Sequence, residues 1–103
     1  MMFVLETNGG LLHLFSDPRE VESQLEAIDI EKGEYEFCDD TGQRFAGELV
    51  APVSVFRSGR FRLRPDGIPD RRVLASMLSR ARSLERQCGE VTTLEDLRRT
   101  HVA

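Results

Sequence analysis

The chain has 103 residues, 40% of them hydrophobic and 31% charged, with 14 basic and 18 acidic side chains and a formal net charge of −4. That length suits one domain with a modest core, and its apolar content exceeds that of disordered chains. No run approaches the roughly 20 apolar residues of a membrane helix, and Met1-Met2-Phe3-Val4-Leu5-Glu6 lacks the basic stretch of a signal peptide; with only Cys38 and Cys88 there is no disulfide framework, and a reduced, cytoplasmic setting is expected.

Residues 2–6 and 11–15 are short apolar runs joined by Asn8-Gly9-Gly10, which tolerate positive φ, and they read as a β-hairpin. Asp17 can cap a helix, Pro18 suits its first position and Glu20 completes a capping box. Val21, Leu25 and Ile28 recur on one helical face, so this helix is expected to run to Lys32-Gly33. Glu34-Tyr35-Glu36-Phe37-Cys38 alternates as a half-buried strand does, and residues 43–51 read as its partner across an Asp40-Thr41-Gly42 turn. With Gly42 left-handed in a three-residue loop, Asp39 faces Gln43, Phe37 faces Phe45 and Tyr35 faces Gly47, an aromatic over a glycine.

Pro52 interrupts or edges that strand, and Val53-Ser54-Val55-Phe56 extends it past a bend. Arg60-Phe61-Arg62-Leu63-Arg64 alternates with its arginines outward. The strongest helix covers about residues 69–88, where Val73, Leu74, Met77, Leu78, Ala81, Leu84 and Cys88 form a stripe that Gly89 stops. Thr92 with Glu95 caps a short helix to about Thr100. The order β-β-α-β-β-β-α-α describes an α+β fold: an antiparallel sheet of about five strands with helices packed on one face. It is a single domain over residues 1–103, with 90–103 a short C-terminal helix and tail.

No nucleotide-binding or hydrolase motif such as GxGxxG, GxxxxGK[ST] or GxSxG is present. The cysteines and histidines lack zinc-ligand spacing, and the acids near Asp39 do not follow a calcium-loop pattern. No catalytic residue, cofactor or metal is therefore assigned. His13, between Leu12 and Leu14, reads as solvent-facing. Cys88 falls on the core stripe of its helix and Cys38 on the outer face of its strand. Asp40-Thr41-Gly42 resembles the catalytic triplet of aspartic proteases, but Asp39 before it and Gln43-Arg44 after it depart from that family's apolar surroundings, and an ordinary turn explains it. The segment Glu26-Ala27-Ile28-Asp29-Ile30-Glu31-Lys32-Gly33-Glu34-Tyr35-Glu36 resembles one found in small uncharacterised proteins of GC-rich bacteria. That resemblance implies no activity.

The charge is lopsided. Residues 1–48 carry 12 acids and three bases, while residues 49–103 carry 11 arginines and six acids, nets of −9 and +5. Such a split signals a charged partner, or two halves that neutralise each other. The leading expectation is a non-catalytic cytoplasmic protein-binding domain, in its most specific form an immunity-type inhibitor of a basic toxin or effector. Its contact residues would be Glu22, Glu26, Asp29, Glu31, Glu34, Glu36, Asp39 and Asp40. The alternatives are an enzyme or small-ligand-binding domain with a site of scattered residues, and a nucleic-acid module using an arginine face that includes Arg57, Arg60, Arg62 and Arg64. Internal neutralisation would set Glu34, Glu36 and Glu48 beside Arg60, Arg62 and Arg64 on neighbouring strands.

Overall fold

The computed structural model describes residues 1–51, 59–86 and 92–102, apart from the side chains of Glu31, Arg86 and Val102. The elements are β1 (Met2–Glu6), β2 (Leu11–Phe15), α1 (Pro18–Gln24), α2 (Ala27–Glu31), β3 (Tyr35–Asp39), β4 (Arg44–Ala51), β5 (Arg60–Pro65), α3 (Arg71–Arg80), β6 (Ser83–Arg86) and α4 (Leu94–Val102). The strands form one six-stranded sheet in the order β5-β4-β3-β1-β2-β6. Neighbours are antiparallel except β2 and β6, which run parallel. The fold is α+β, with a mixed rather than purely antiparallel sheet.

The central strand β1 explains the layering. Met2, Phe3, Val4 and Leu5 are each no more than 1% exposed. Alternation sends Phe3 and Leu5, with Leu12, Leu14 and Cys38, to one face, where α3 and α4 bring Leu74, Met77, Leu78 and Leu97. Met2 and Val4, with Phe15 and Phe37, go to the other face, where α1 and α2 bring Val21 and Ala27. The helices therefore cover both faces, not one as expected. A strand buried on both sides reads as a continuous apolar run, as Met2-Phe3-Val4-Leu5 does.

Two expected helices are shorter than their apolar stripes. The first breaks at Leu25, whose extended backbone (φ −93°, ψ 152°) ends α1 before α2 begins. The break turns Ala27 and Ile30 toward the sheet and leaves Ile28 39% exposed. The strongest helix ends at Arg80, because Ala81 is extended and the Arg82 N–H donates to Gly10 O at 2.7 Å. Residues 83–86 then pair with β2. A Cβ on Gly10, at φ +70°, would come within 2.8 Å of Arg82 Cγ, so the glycine permits this crossing. Cys88, Gly89, Arg57 and residues 52–56 lie outside the described residues. The last helix is capped by Thr93 rather than Thr92: Thr93 Oγ1 accepts the Asp96 N–H at 3.1 Å. Arg98 joins α4 to the end of α3, donating to Leu78 O (2.9 Å) and Ala81 O (2.6 Å) and satisfying carbonyls a helix end leaves open.

The β3–β4 turn keeps the expected register at its tip. Asp39 N–H donates to Gln43 O at 3.0 Å, Phe37 pairs with Phe45, and Gly42 has φ +87°. The ladder stops there, so Tyr35 and Gly47 do not pair. Gly47 instead lies beneath Ile30 of α2, whose Cγ2 methyl would overlap any Cβ at that position. β4 stays with β5 from Phe45↔Pro65 to Ala51↔Arg60. The outer edge of β5 is blunted: Glu22 Oε2 accepts the Leu63 N–H at 2.8 Å, and Pro65 has no N–H to offer.

Candidate functional site

The structure separates the eight expected contact acids into those with work inside the fold and those without. Asp39 organises its turn: its Oδ1 accepts from Thr41 N (2.9 Å), Thr41 Oγ1 (2.6 Å) and Gln43 N (3.0 Å). The turn docks on the start of α3, where Asp70 N–H donates to Gly42 O at 3.1 Å. Asp40-Thr41-Gly42 is thus a structural turn, and Asp40 itself is half exposed, 3.9 Å from the N-terminal amine. Glu36 forms a two-pronged ion pair with Arg80, one arm at 3.1 Å. Glu22 caps the β5 edge as described above.

Glu26, Asp29 and Glu34 differ: their side chains make no hydrogen bond or ion pair among the described residues. The side chain of Glu31 lies outside those residues. All three raise the Tyr35 phenol, which is pushed up to about 12, first by burial and then by Glu6, Asp29, Glu34 and Glu26. The charges acting on that phenol are all negative; Glu26 and Asp29 belong to the start and the body of α2, which packs on the same face of the sheet as Tyr35.

His13 is not solvent-facing. It shares the α1–α2 face with Phe15 and Tyr35, its ring 6.3 Å from the first and 6.5 Å from the second. Its Nε2 lies 3.2 Å from Glu6 Oε2. A histidine–carboxylate pair can orient a proton, but acyl or phosphoryl transfer also needs a nucleophile. Cys38 does not supply one. It is fully buried beneath α3, and burial, then Asp39, push its thiol up to about 12, so it stays protonated. Its expected outer-face position failed because that face is covered too.

An open cleft of about 420 Å³ lies where β3 and β4 part, lined by Ile30, Tyr35, Phe37, Phe45, Gly47 and Met77. Its size suits a small ligand. The charged groups on its lining are Glu36, already paired with Arg80, and Arg44. Among the described residues no group of three or more His, Cys, Asp or Glu could hold a metal ion, and no helix is long and apolar enough to cross a membrane.

Several arginines are also committed internally. Arg72 pairs with Asp70, Arg99 with Glu95 and Asp96, and Arg98 with the end of α3. The expected neutralisation of β-strand charges is realised in one place, where Glu48 faces Arg62 across the strands and pairs with Arg64. Glu36 sits on a strand that β4 separates from β5, and it finds Arg80 instead. Sequence reading missed the roles of Glu22, Glu36 and Arg98. Their partners lie 41, 44 and 20 positions away, and no local pattern carries such contacts. Comparison with protein-family models, curated proteins and solved structures yields no match to this chain.

Proposed function

We propose that this chain is a non-catalytic cytoplasmic protein-binding domain that presents Glu26, Asp29 and Glu34 to a basic surface on its partner. The observation that carries the reading is that these acids make no ion pair among the described residues and jointly raise the Tyr35 phenol. Ile28, 39% exposed on the same short helix, supplies an apolar contact amid the charges. Such a ridge speeds association with a basic partner and rejects acidic ones. An immunity-type inhibitor of a basic toxin or effector is the specific form we favour. The test is affinity purification from the native host at low salt, comparing the natural chain with Glu26→Lys/Asp29→Lys/Glu34→Lys. A basic protein recovered only with the natural chain supports the reading. Equal recovery by both, or none by either, counts against it.

A further inference from the structure

The sheet carries a second charged surface, on the side opposite α1 and α2, and so opposite Glu26 and Asp29. Along β4 and β5, alternation turns Phe45, Phe61 and Leu63 toward the core under α1 and α2. The other side presents Arg44, Ala46, Glu48 and Val50 from β4 and Arg60, Arg62 and Arg64 from β5, all exposed. Four strand arginines thus face one strand glutamate, with Asp66 following β5 next to Arg44 (Asp66 N–H to Arg44 O, 2.9 Å). Glu48 pairs with Arg64, while Arg44, Arg60 and Arg62 have no ion pair among the described residues.

We infer that this uncovered β4–β5 face is a docking surface for an acidic, extended polypeptide segment. Alternate residues of a strand stand about 7 Å apart, so Arg60 and Arg62, which have no ion pair among the described residues, match carboxylates two positions apart in an extended partner. Arginine binds carboxylate through two parallel hydrogen bonds, which lysine cannot do. The apolar neighbours decide between a protein and a nucleic acid. Val50 is 50% exposed on this face, and Ile68, 86% exposed, stands beyond the end of β5 in an open cleft lined by Arg44, Asp66, Asp70 and Arg72. A polypeptide offers side chains to cover them, and a phosphodiester backbone does not. Binding of single strands also relies on aromatic rings that stack with bases, and none lies on the described part of this face.

The test is fluorescence anisotropy with the full chain and a labelled nonapeptide that has glutamate at alternate positions, serine between them and a terminal isoleucine; oligothymidylate is the second probe. The peptide is expected to bind saturably at low salt. Arg44→Glu/Arg60→Glu/Arg62→Glu should weaken binding by about tenfold or more, and the triple Gln variant, which adds no repulsion, by a smaller factor. The Lys variants of Glu26, Asp29 and Glu34 should bind the peptide at least as well as the natural chain, which separates this surface from the acidic ridge. No saturable binding, equal binding by the Glu variants with an unchanged circular dichroism spectrum, or tighter binding of oligothymidylate than of the peptide would each overturn the inference.

Discussion

Replacing Gly47 by alanine tests the packing of α2 on the sheet through the sign of its effect. Gly47 is not among the glycines with positive φ. At such a position in a strand, alanine ordinarily stabilises by about 0.5–1 kcal/mol, by restricting the unfolded chain. Here the new methyl would overlap Ile30 Cγ2, with Phe37 Cε2 also within 3.9 Å. A Cγ2 methyl on a β-branched residue cannot swing aside without a change of χ1, which a helix restricts, so α2 itself must move. Overpacking of this kind costs about 1–3 kcal/mol. The net expectation is destabilisation by up to about 2.5 kcal/mol, the difference of the two effects. Ile30→Leu removes the offending branch while keeping the volume, so in the double variant Gly47→Ala should cost little or become stabilising. Urea unfolding of the four proteins, with the slope checked for constancy, measures the cycle. A stabilised single variant, or strictly additive effects, would refute the contact.

Glu22→Ala should lower stability by about 1–2 kcal/mol, because it leaves the Leu63 N–H without its charged acceptor; the freed β5 edge should also show concentration-dependent association by light scattering. Arg98→Met should cost about 1–3 kcal/mol and speed hydrogen exchange at the end of α3 and in α4 first. Alkali should destabilise the fold. Cys38 moves from 9.0 to about 12 and Tyr35 from 10.0 to about 12, so the folded state holds both protons longer than the unfolded state. Their stabilising contribution is complete below the unfolded values and is lost as pH rises through the folded ones. The urea midpoint should therefore fall from about pH 9 upward, with Cys38→Ala removing the earlier part of the fall and Tyr35→Phe the later. A flat midpoint across that window would refute both shifts.

Local chemistry was legible in the sequence where it settles local geometry. Asn8-Gly9-Gly10 and Asp40-Thr41-Gly42 marked both hairpins, and the second gave the Phe37–Phe45 register. Asp17 capped its helix as expected, through Glu20 N (2.9 Å); Asp70, within the expected span of the long helix, proved to be its cap, accepting from Arg72 N (2.9 Å). What failed depended on distant residues. The stripe from Val73 through Leu84 is apolar on one side whether Leu84 sits in a helix or a strand; the bond from Arg82 N to Gly10 O decides the matter across 72 positions. Cys38 looked outward because its hairpin alternates, yet α3 comes back to cover that side. Within the candidate ridge, Glu26, Asp29 and Glu34 were identifiable as acids, but their freedom was not. That emerges only once Glu22, Glu36 and Asp39 are seen to have taken internal partners.

The lopsided charge that the sequence announces is only partly internal. Glu36–Arg80 and Glu48–Arg64 join acids of the first half to arginines of the second. Among the charges left without an ion pair in the described residues, Glu26 and Asp29 stand on the α1–α2 side and Arg44, Arg60 and Arg62 on the opposite side of β4 and β5. Packed layers stand about 10 Å apart, more than the Debye length of about 8 Å at physiological salt, so charges on opposite faces of the sheet are largely screened from each other. They cannot neutralise each other, and neither can weaken the other's attraction for a partner except at low salt. Charge reversals on the two faces should therefore act independently on binding at physiological ionic strength and become coupled as salt is removed.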